Sequence, residues 1–297
     1  MTPAAGALVA QQMSVRQRLT DYLALTKPRV VLMVLITTFV GYYLGSRNAL
    51  EALPLLHTLI GTALAAGGTM ALNQFMERAR DSQMVRTRHR PLPEGRLLPV
   101  EALVFGSALT VVGLAYLLWT VGPLAAGLTT TISATYLLLY TPLKTVTSLC
   151  SLVGAVPGAL PPVMGWAAAR GSLEAGAWIL FLILFFWQLP HFLALAWMYR
   201  EDYARAGFPM LPVEEPTGAS TGRQVVLQTL ALLVVSLLPL AFEMAGEGYL
   251  VAALVLGAGF LGFGVAFAAE RSRDRASRLF LASIAYLPLL LGALALL

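Results

Sequence analysis

The chain has 297 residues, of which 58% are hydrophobic and only 12% are charged, and its formal net charge is +5. A soluble domain is normally about 25% charged, so this composition excludes a soluble globular protein and indicates a polytopic membrane protein. Cys150 is the only cysteine, which excludes an intrachain disulfide and a CxxC metal or haem-attachment motif.

The N-terminal segment does not resemble a cleavable signal peptide, because it is mildly apolar and then basic at Arg16 and Arg18. We predict a flexible cytoplasmic tail over 1–20 and a single transmembrane domain over 21–297. The basic residues lie in short loops between apolar spans. The net positive charge is therefore not a nucleic-acid signal, and we expect no nucleic-acid partner.

Nine apolar segments are long enough to cross a bilayer, since a membrane helix needs about 20 residues. The predicted fold is therefore an all-α polytopic membrane protein with about nine transmembrane helices. A kink is expected in the fifth span, which contains Pro157, Pro161 and Pro162. The predicted spans are 28–46, 54–76, 98–119, 123–140, 151–168, 177–198, 225–244, 249–268 and 279–297.

The lysines and arginines are distributed unevenly between the two sides of this bundle. With the N-terminus inside, 18 of the 20 lie in inner segments, and only Arg47 and Arg170 fall outside. The positive-inside rule then places the N-terminus in the cytoplasm. The two longest inner loops are 77–97 and 199–224.

The inner end of the second span carries Asn73, Glu77 and Asp81 at steps of four. Each helical residue turns about 100°, so these side chains lie on one face. Two carboxylates and an amide oxygen suit a hard cation such as Mg²⁺. The following loop is rich in arginine, which suits phosphate; its candidates are Arg86, Arg88 and Arg90. The pattern predicts a metal–diphosphate site, although the topology rule alone would also explain the arginines.

Two further places could contribute to such a site. His191 lies inside the sixth span, where a polar group is a functional candidate, or is simply bonded to a neighbouring helix. Asp202 lies just past the same span and could hold a second metal ion, contact the same diphosphate, or cap a helix. Lys144 is the only cation of its loop and could place a point charge on phosphate.

At these places the sequence resembles the UbiA superfamily of intramembrane prenyltransferases, and within it the branch that farnesylates haem. The resemblance covers roughly residues 20–297. The glutamate at position 77, where other members have aspartate, points to the haem branch. The matching motifs are Asn73, Glu77, Asp81, Met84, Arg86, Thr87, Arg90, Pro91 and Leu92; Pro190-His191-Phe192 with Asp202-Tyr203 and 206–212; and Tyr140, Thr141, Leu143 and Lys144.

The resemblance implies a UbiA-type bundle that transfers a farnesyl group from farnesyl diphosphate to a vinyl group of haem B. Water addition then gives haem O for haem-copper oxidases. It implies Mg²⁺ as cofactor, haem B as substrate, the lipid bilayer as surroundings, and haem A synthase or oxidase assembly factors as partners. We expect a prokaryotic plasma membrane, with the active site toward the cytoplasm.

The implied residues fall into overlapping groups. The catalytic residues are Asn73, Glu77, Asp81, His191 and Asp202; the metal ligands are Asn73, Glu77, Asp81 and Asp202; the diphosphate contacts are Arg86, Arg88, Arg90 and Lys144. Ala206 stands where many members have a second aspartate, so the first face should carry most of the metal binding. His191 could orient haem, ligate its iron or take a proton from water.

Three other functions compete with this interpretation. The first is another UbiA-type prenyltransferase, acting on a quinone precursor or chlorophyllide. The second is a transporter, which would place charged groups near the membrane midplane, whereas those here lie at the inner rim. The third is a non-catalytic haem carrier, which would need His191 but not Asn73, Glu77 and Asp81.

Overall fold

The computed structural model describes residues 14–46 and 49–297. Within that part of the chain, nine helices are long and apolar enough to cross a membrane, which confirms the predicted number and the all-α class. The chain is an integral membrane protein. In chain order the helices are α1 (Val15–Leu25), α2 (Pro28–Gly45), α3 (Ala52–Asp81), α4 (Pro99–Thr120), α5 (Pro123–Leu143), α6 (Cys150–Arg170), α7 (Ala175–Met198), α8 (Arg200–Arg205), α9 (Leu211–Glu214), α10 (Ala219–Ala241), α11 (Glu247–Ala269) and α12 (Arg273–Leu296).

The helix α1 corrects the predicted flexible tail over 1–20. It begins after Ser14, whose side chain accepts a hydrogen bond from the Gln17 backbone N–H at 3.2 Å. A serine N-cap stabilises a helix start because it satisfies a free N–H group. The buried carboxylate of Asp21 accepts two bonds from Arg96 Nε at 3.0 and 3.1 Å, which fasten α1 to the loop before α4. Residues 1–13 of the predicted tail lie outside the described residues.

The helix α3 is longer than its predicted span of 54–76. It continues to Asp81, so Asn73, Glu77 and Asp81 all belong to one helix, as their spacing predicted. Arg78 and Arg80 lie in its last turn, where positive charge interacts favourably with the helix dipole.

Two spans on the cavity side depart from regular helix. In α5 the segment Thr135–Tyr140 is a π-helix, a rare geometry that is frequent at functional sites. In α6 the segments Cys150–Ala159 and Pro161–Arg170 meet at a break, because proline removes a hydrogen-bond donor and clashes with the preceding turn. The break confirms the predicted kink in the fifth span.

The helices α3 and α4 pack at very close range through small residues. A Cβ built on Gly113 of α4 would lie 2.9 Å from Ala65 Cα and closer still to the Ala65 nitrogen. A Cβ on Gly68 of α3 would meet the backbone of Thr110 and Gly106 in the same way. Glycine permits such backbone contact in membrane helices, and the contact fixes α3 against α4.

A second close contact joins α2 to α6, where Gly165 packs directly against the Thr38 carbonyl. The helices α7, α10, α11 and α12 form an apolar core together with part of α6; it includes Leu180, Phe267 and Leu290. The helices α2, α3, α5, α6 and α7 surround an internal cavity.

We expect Gly113→Ala to lower the thermal stability of the purified protein, because the added methyl group would collide with the α3 backbone. The matched control is Gly259→Ala in α11, where an added Cβ meets nothing within 4 Å. That control should be neutral or slightly stabilising, since alanine favours helix over glycine by about 1 kcal/mol. Circular dichroism melting in detergent measures both variants, and equal melting temperatures would contradict the close-packing interpretation.

Candidate functional site

The three predicted ligands are buried side by side on one face of α3. Asn73, Glu77 and Asp81 have exposed fractions of 0%, 8% and 1%. Buried polar groups need hydrogen-bond partners, and buried charges need partners of opposite sign. The structure therefore has to supply cations to this face from elsewhere in the chain.

Both carboxylates are paired with predicted diphosphate contacts. Glu77 Oε1 accepts from Lys144 Nζ at 2.8 Å, and Asp81 Oδ2 accepts from Arg90 Nη1 at 2.6 Å. Lys144 follows the end of α5, whereas Arg90 comes from the loop between α3 and α4. The structure thus brings Lys144, 67 positions from Glu77, and Arg90, 9 positions from Asp81, to the same helix face.

Lys27 is a site residue that the motif spacing did not reveal. Its Nζ donates to Asn73 Oδ1 at 2.7 Å, and Asn73 Nδ2 in turn donates to Thr141 Oγ1 at 3.0 Å. Burial lowers the pKa of Lys27 to about 7, and the nearby Arg90 charge acts in the same direction. Its backbone has φ 49°, a left-handed conformation that is uncommon outside glycine. The sequence signal that could have identified Lys27 is its position at the N-cap of α2, because the helix dipole disfavours a positive charge there.

The charges of this group do not balance. Lys27, Lys144 and Arg90 bring three basic groups to two carboxylates, so the group has excess positive charge whenever Lys27 is protonated. A diphosphate carries more negative charge than a divalent metal ion carries positive charge, so the two together would offset the excess. We define Asn73, Glu77, Asp81, Lys27, Lys144 and Arg90 as the rim group.

The other two predicted arginines lie outside the rim group. Arg86 and Arg88 are exposed. The Arg86 guanidinium lies over the Tyr199 ring, 5.4 Å from its centroid, and Arg88 Nε donates to His89 Nε2 at 3.1 Å. They belong to the outer surface of the loop and do not pair with the α3 carboxylates.

Asp202 does not join the rim group. Its two carboxylate oxygens accept the backbone N–H groups of Val85 and Arg86, each at 3.3 Å, and Oδ1 also pairs with Arg205 at 2.8 Å. Within residues 14–46 and 49–297, no three His, Cys, Asp or Glu side chains form a group that could hold a metal ion. In the structure, Asp202 is thus bonded to the loop after α3 and to Arg205, and not to Glu77 or Asp81.

An apolar cavity of about 290 Å³ lies next to the rim group. Tyr136 and Tyr140, from the π-helical turn of α5, line it with their rings 5.2 Å apart. Lys144 Nζ lies 4.6 Å from the Tyr140 ring centroid, so this ring marks the end of the cavity nearest the charges. Aromatic faces stabilise cations, and an apolar cavity excludes water. A hydrocarbon chain attached to an anionic head would fit this arrangement.

His191 lies on a different side of α7 from the cavity-lining Gln188 and Phe192. Its Nδ1 is 2.7 Å from Ser283 Oγ on α12, and its ring stacks on Phe280 with centroids 4.6 Å apart. In the part of the chain that the structure describes, Nε2 has no hydrogen-bond partner. The structure thus separates His191 from the rim group and bonds it to a neighbouring helix.

Comparisons with known proteins agree with this architecture. Two solved structures share the fold over nearly the whole chain. A digeranylgeranylglyceryl phosphate synthase has a TM-score of 0.80 at 18% identity, covering 94% of this chain and 98% of that one. A UbiA homologue from Archaeoglobus fulgidus, bound to GPP and Mg²⁺, has a TM-score of 0.62 at 15% identity, covering 93% and 100%. At these identities the similarity shows the fold alone.

Sequence relatives are much more similar. A protoheme IX farnesyltransferase from Solibacter usitatus is 50% identical, covering 92% of this chain and 96% of the relative. The protein of the same name from Salinibacter ruber is 46% identical, covering 93% and 98%. The model of the UbiA prenyltransferase family matches residues 34–287. The resemblance drawn from the motifs is confirmed, and the chain belongs to the UbiA prenyltransferase family.

Proposed function

We propose that this chain transfers a farnesyl group from farnesyl diphosphate to a vinyl group of haem B, with addition of water, giving haem O. The observation that carries the proposal is identity of 46% and 50%, over nearly the full length, with two curated protoheme IX farnesyltransferases. The rim group beside an apolar cavity fits a prenyl diphosphate donor. The acceptor, haem B, is inferred from the activity that the names of these relatives state.

Mg²⁺ is the proposed cofactor, with Asn73, Glu77 and Asp81 as its ligands. The donor set fits, because Mg²⁺ is usually held by one or two carboxylates together with substrate phosphate oxygens. The Archaeoglobus fulgidus homologue, solved with GPP and Mg²⁺, supports this choice. When bound, the metal would neutralise part of the charge that develops on the leaving diphosphate.

The three cations of the rim group then act on the diphosphate oxygens. Lys27, Lys144 and Arg90 are already held beside the ligands, so they need little rearrangement as the carbon–oxygen bond breaks. Arg86 and Arg88, exposed on the loop, meet the anionic donor as it arrives.

Cleavage leaves an allylic cation on the farnesyl group. The rings of Tyr136 and Tyr140 line the cavity and offer π faces to that cation. The electron pair of the haem vinyl group forms the new carbon–carbon bond, which moves the positive charge beside the porphyrin. Water then adds and releases a proton, so the atoms and charges balance.

His191 is proposed as the residue on the acceptor side. With Nδ1 bonded to Ser283 and the ring stacked on Phe280, Nε2 is the atom left for a partner. Orienting haem, ligating its iron and accepting the proton from water would each use Nε2.

We also propose that the N-terminus is cytoplasmic and that the active site faces the cytoplasm from a prokaryotic plasma membrane. The positive-inside distribution of 18 of the 20 lysines and arginines supports this orientation. Haem A synthase or oxidase assembly factors would then receive a product that stays in the bilayer.

The reaction itself is tested with purified protein, farnesyl diphosphate, haem B and Mg²⁺, followed by mass analysis of the pigment. We expect a farnesylated, hydrated haem from the wild type and about 100-fold less from Glu77→Gln, which loses a charged metal ligand. Glu270→Gln is the control, since Glu270 is an exposed inner carboxylate paired with Arg275. Haem binding without prenylation would support a carrier, and prenylation of a quinone precursor instead would support the other enzyme.

Lys27→Met should lower kcat/KM for farnesyl diphosphate roughly 10- to 100-fold, the usual cost of losing a hydrogen bond to a charged group. Arg29→Gln changes an exposed cation two residues away and should have little effect. Steady-state kinetics with varied farnesyl diphosphate measures both. Unchanged kinetics in the Lys27 variant would remove this residue from the donor site.

For Asp202 we propose a positioning role in which it holds the loop that carries Arg86. Asp202→Ala should speed tryptic cleavage after Arg86 and Arg88 while leaving Mn²⁺ binding, measured by electron paramagnetic resonance, close to wild type. Glu201→Ala, at an exposed neighbour, is the control for cleavage. Loss of Mn²⁺ binding with unchanged cleavage would restore Asp202 to the metal site.

A further inference from the structure

The face of α3 that ends in the rim group also forms a wall of the cavity. Thr62, Ala66 and Met70 line it, and Asn73 follows on the same face. With a helical rise of 1.5 Å per residue, Thr62 lies about 16 Å along the axis from Asn73. An isoprene unit contributes four carbon–carbon bonds of about 1.5 Å, which extend to roughly 5 Å. This wall therefore matches three isoprene units in length.

Among the cavity-lining residues, Thr62 is the furthest from Asn73 along α3, and Met164 is the last along α6. Thr62 is 3% exposed and Met164 is 0% exposed, and Thr62 Oγ1 lies 4.0 Å from Met164 Sδ across the cavity end. On α2, Val34 lines the cavity, whereas Thr38, one turn further from the rim, is fully buried against Gly165. On α2, α3 and α6 the cavity lining thus stops at a similar distance from the rim group.

We propose that Thr62 and Met164 form a floor that limits the prenyl chain to three isoprene units and so selects a fifteen-carbon donor. This inference rests on the proposed function, because it concerns the chain length of that donor. The rim group would hold the diphosphate at one end of the prenyl chain. The side chains of Thr62 and Met164 would limit how far the other end of the chain can reach.

A deeper floor should admit a longer donor. Together Thr62→Ala and Met164→Ala remove about five heavy atoms, the size of one isoprene unit, and leave a cavity where they stood. In competition between geranylgeranyl and farnesyl diphosphate, we expect the product ratio to move at least about 10-fold toward the longer chain, since pockets discriminate by that factor for a single methylene. The matched control is Met33→Ala, which removes the same side chain from an exposed position of α2 that does not line the cavity.

A raised floor should favour a shorter donor. Ala66 lies about 10 Å from Asn73 along α3, the length of two isoprene units. Ala66→Phe should therefore prefer geranyl over farnesyl diphosphate and lose turnover with the longer chain. This variant fills existing space, so it also serves if the double variant fails to fold.

Product masses from the three donors decide the outcome, with thermal-shift binding of each diphosphate in the absence of haem as a second readout. Opposite shifts in the two variants, with Met33→Ala unchanged, would support the floor. Wild-type selectivity in folded Ala66→Phe or in the double variant would overturn it. If the wild type prenylates no haem, the proposed function fails, and the binding readout still tests the floor.

Discussion

Two carboxylates buried at the membrane rim require positive partners, and this requirement organises the inner half of the protein. Glu77 draws Lys144 from the end of α5, and Asp81 draws Arg90 from the following loop. Asn73 receives Lys27 from the junction of α1 and α2. A buried charge without a partner costs several kcal/mol, so these contacts fix the ends of three separate segments around one point.

The same helix carries both the charged end and the cavity wall, and its position depends on α4. Backbone contact at Gly68 and Gly113 leaves no room for α3 to slide or rotate against its neighbour. Hydrophobic association is weak between helices in lipid, so close packing of this kind supplies much of the restraint. The distance from Asn73 to Thr62 is then set by one rigid helix, and not by loops that could relax.

Features that depend on local periodicity could be predicted from the sequence. The face formed by Asn73, Glu77 and Asp81 follows from their spacing, and the break in α6 follows from its prolines. The number of spans follows from apolar length. Each of these features depends only on residues that are close together in the sequence of one helix.

Features that depend on tertiary partners were not accessible in the same way. Lys27 reaches Asn73 across 46 positions, and the sequence records only a lysine at a helix start, where topology already explains it. Besides Arg205, the partners of Asp202 are two backbone N–H groups, which carry no residue signature. Its position in a motif suggested a metal ligand, and its hydrogen bonds to the loop could not be predicted from that position.

Separate forces locate the two ends of the proposed donor. The diphosphate stays at the rim, because moving its charge into the apolar cavity would be costly, while the hydrocarbon end is limited by contact with Met164 and Thr62. A donor held by its charged end presents its reacting carbon beside Tyr140 whatever its length. Changes at the floor would alter which donor is chosen and leave the chemistry at the rim intact. His191 is bonded to Ser283 of α12 and does not line the cavity, so changes at the floor would not alter its contacts.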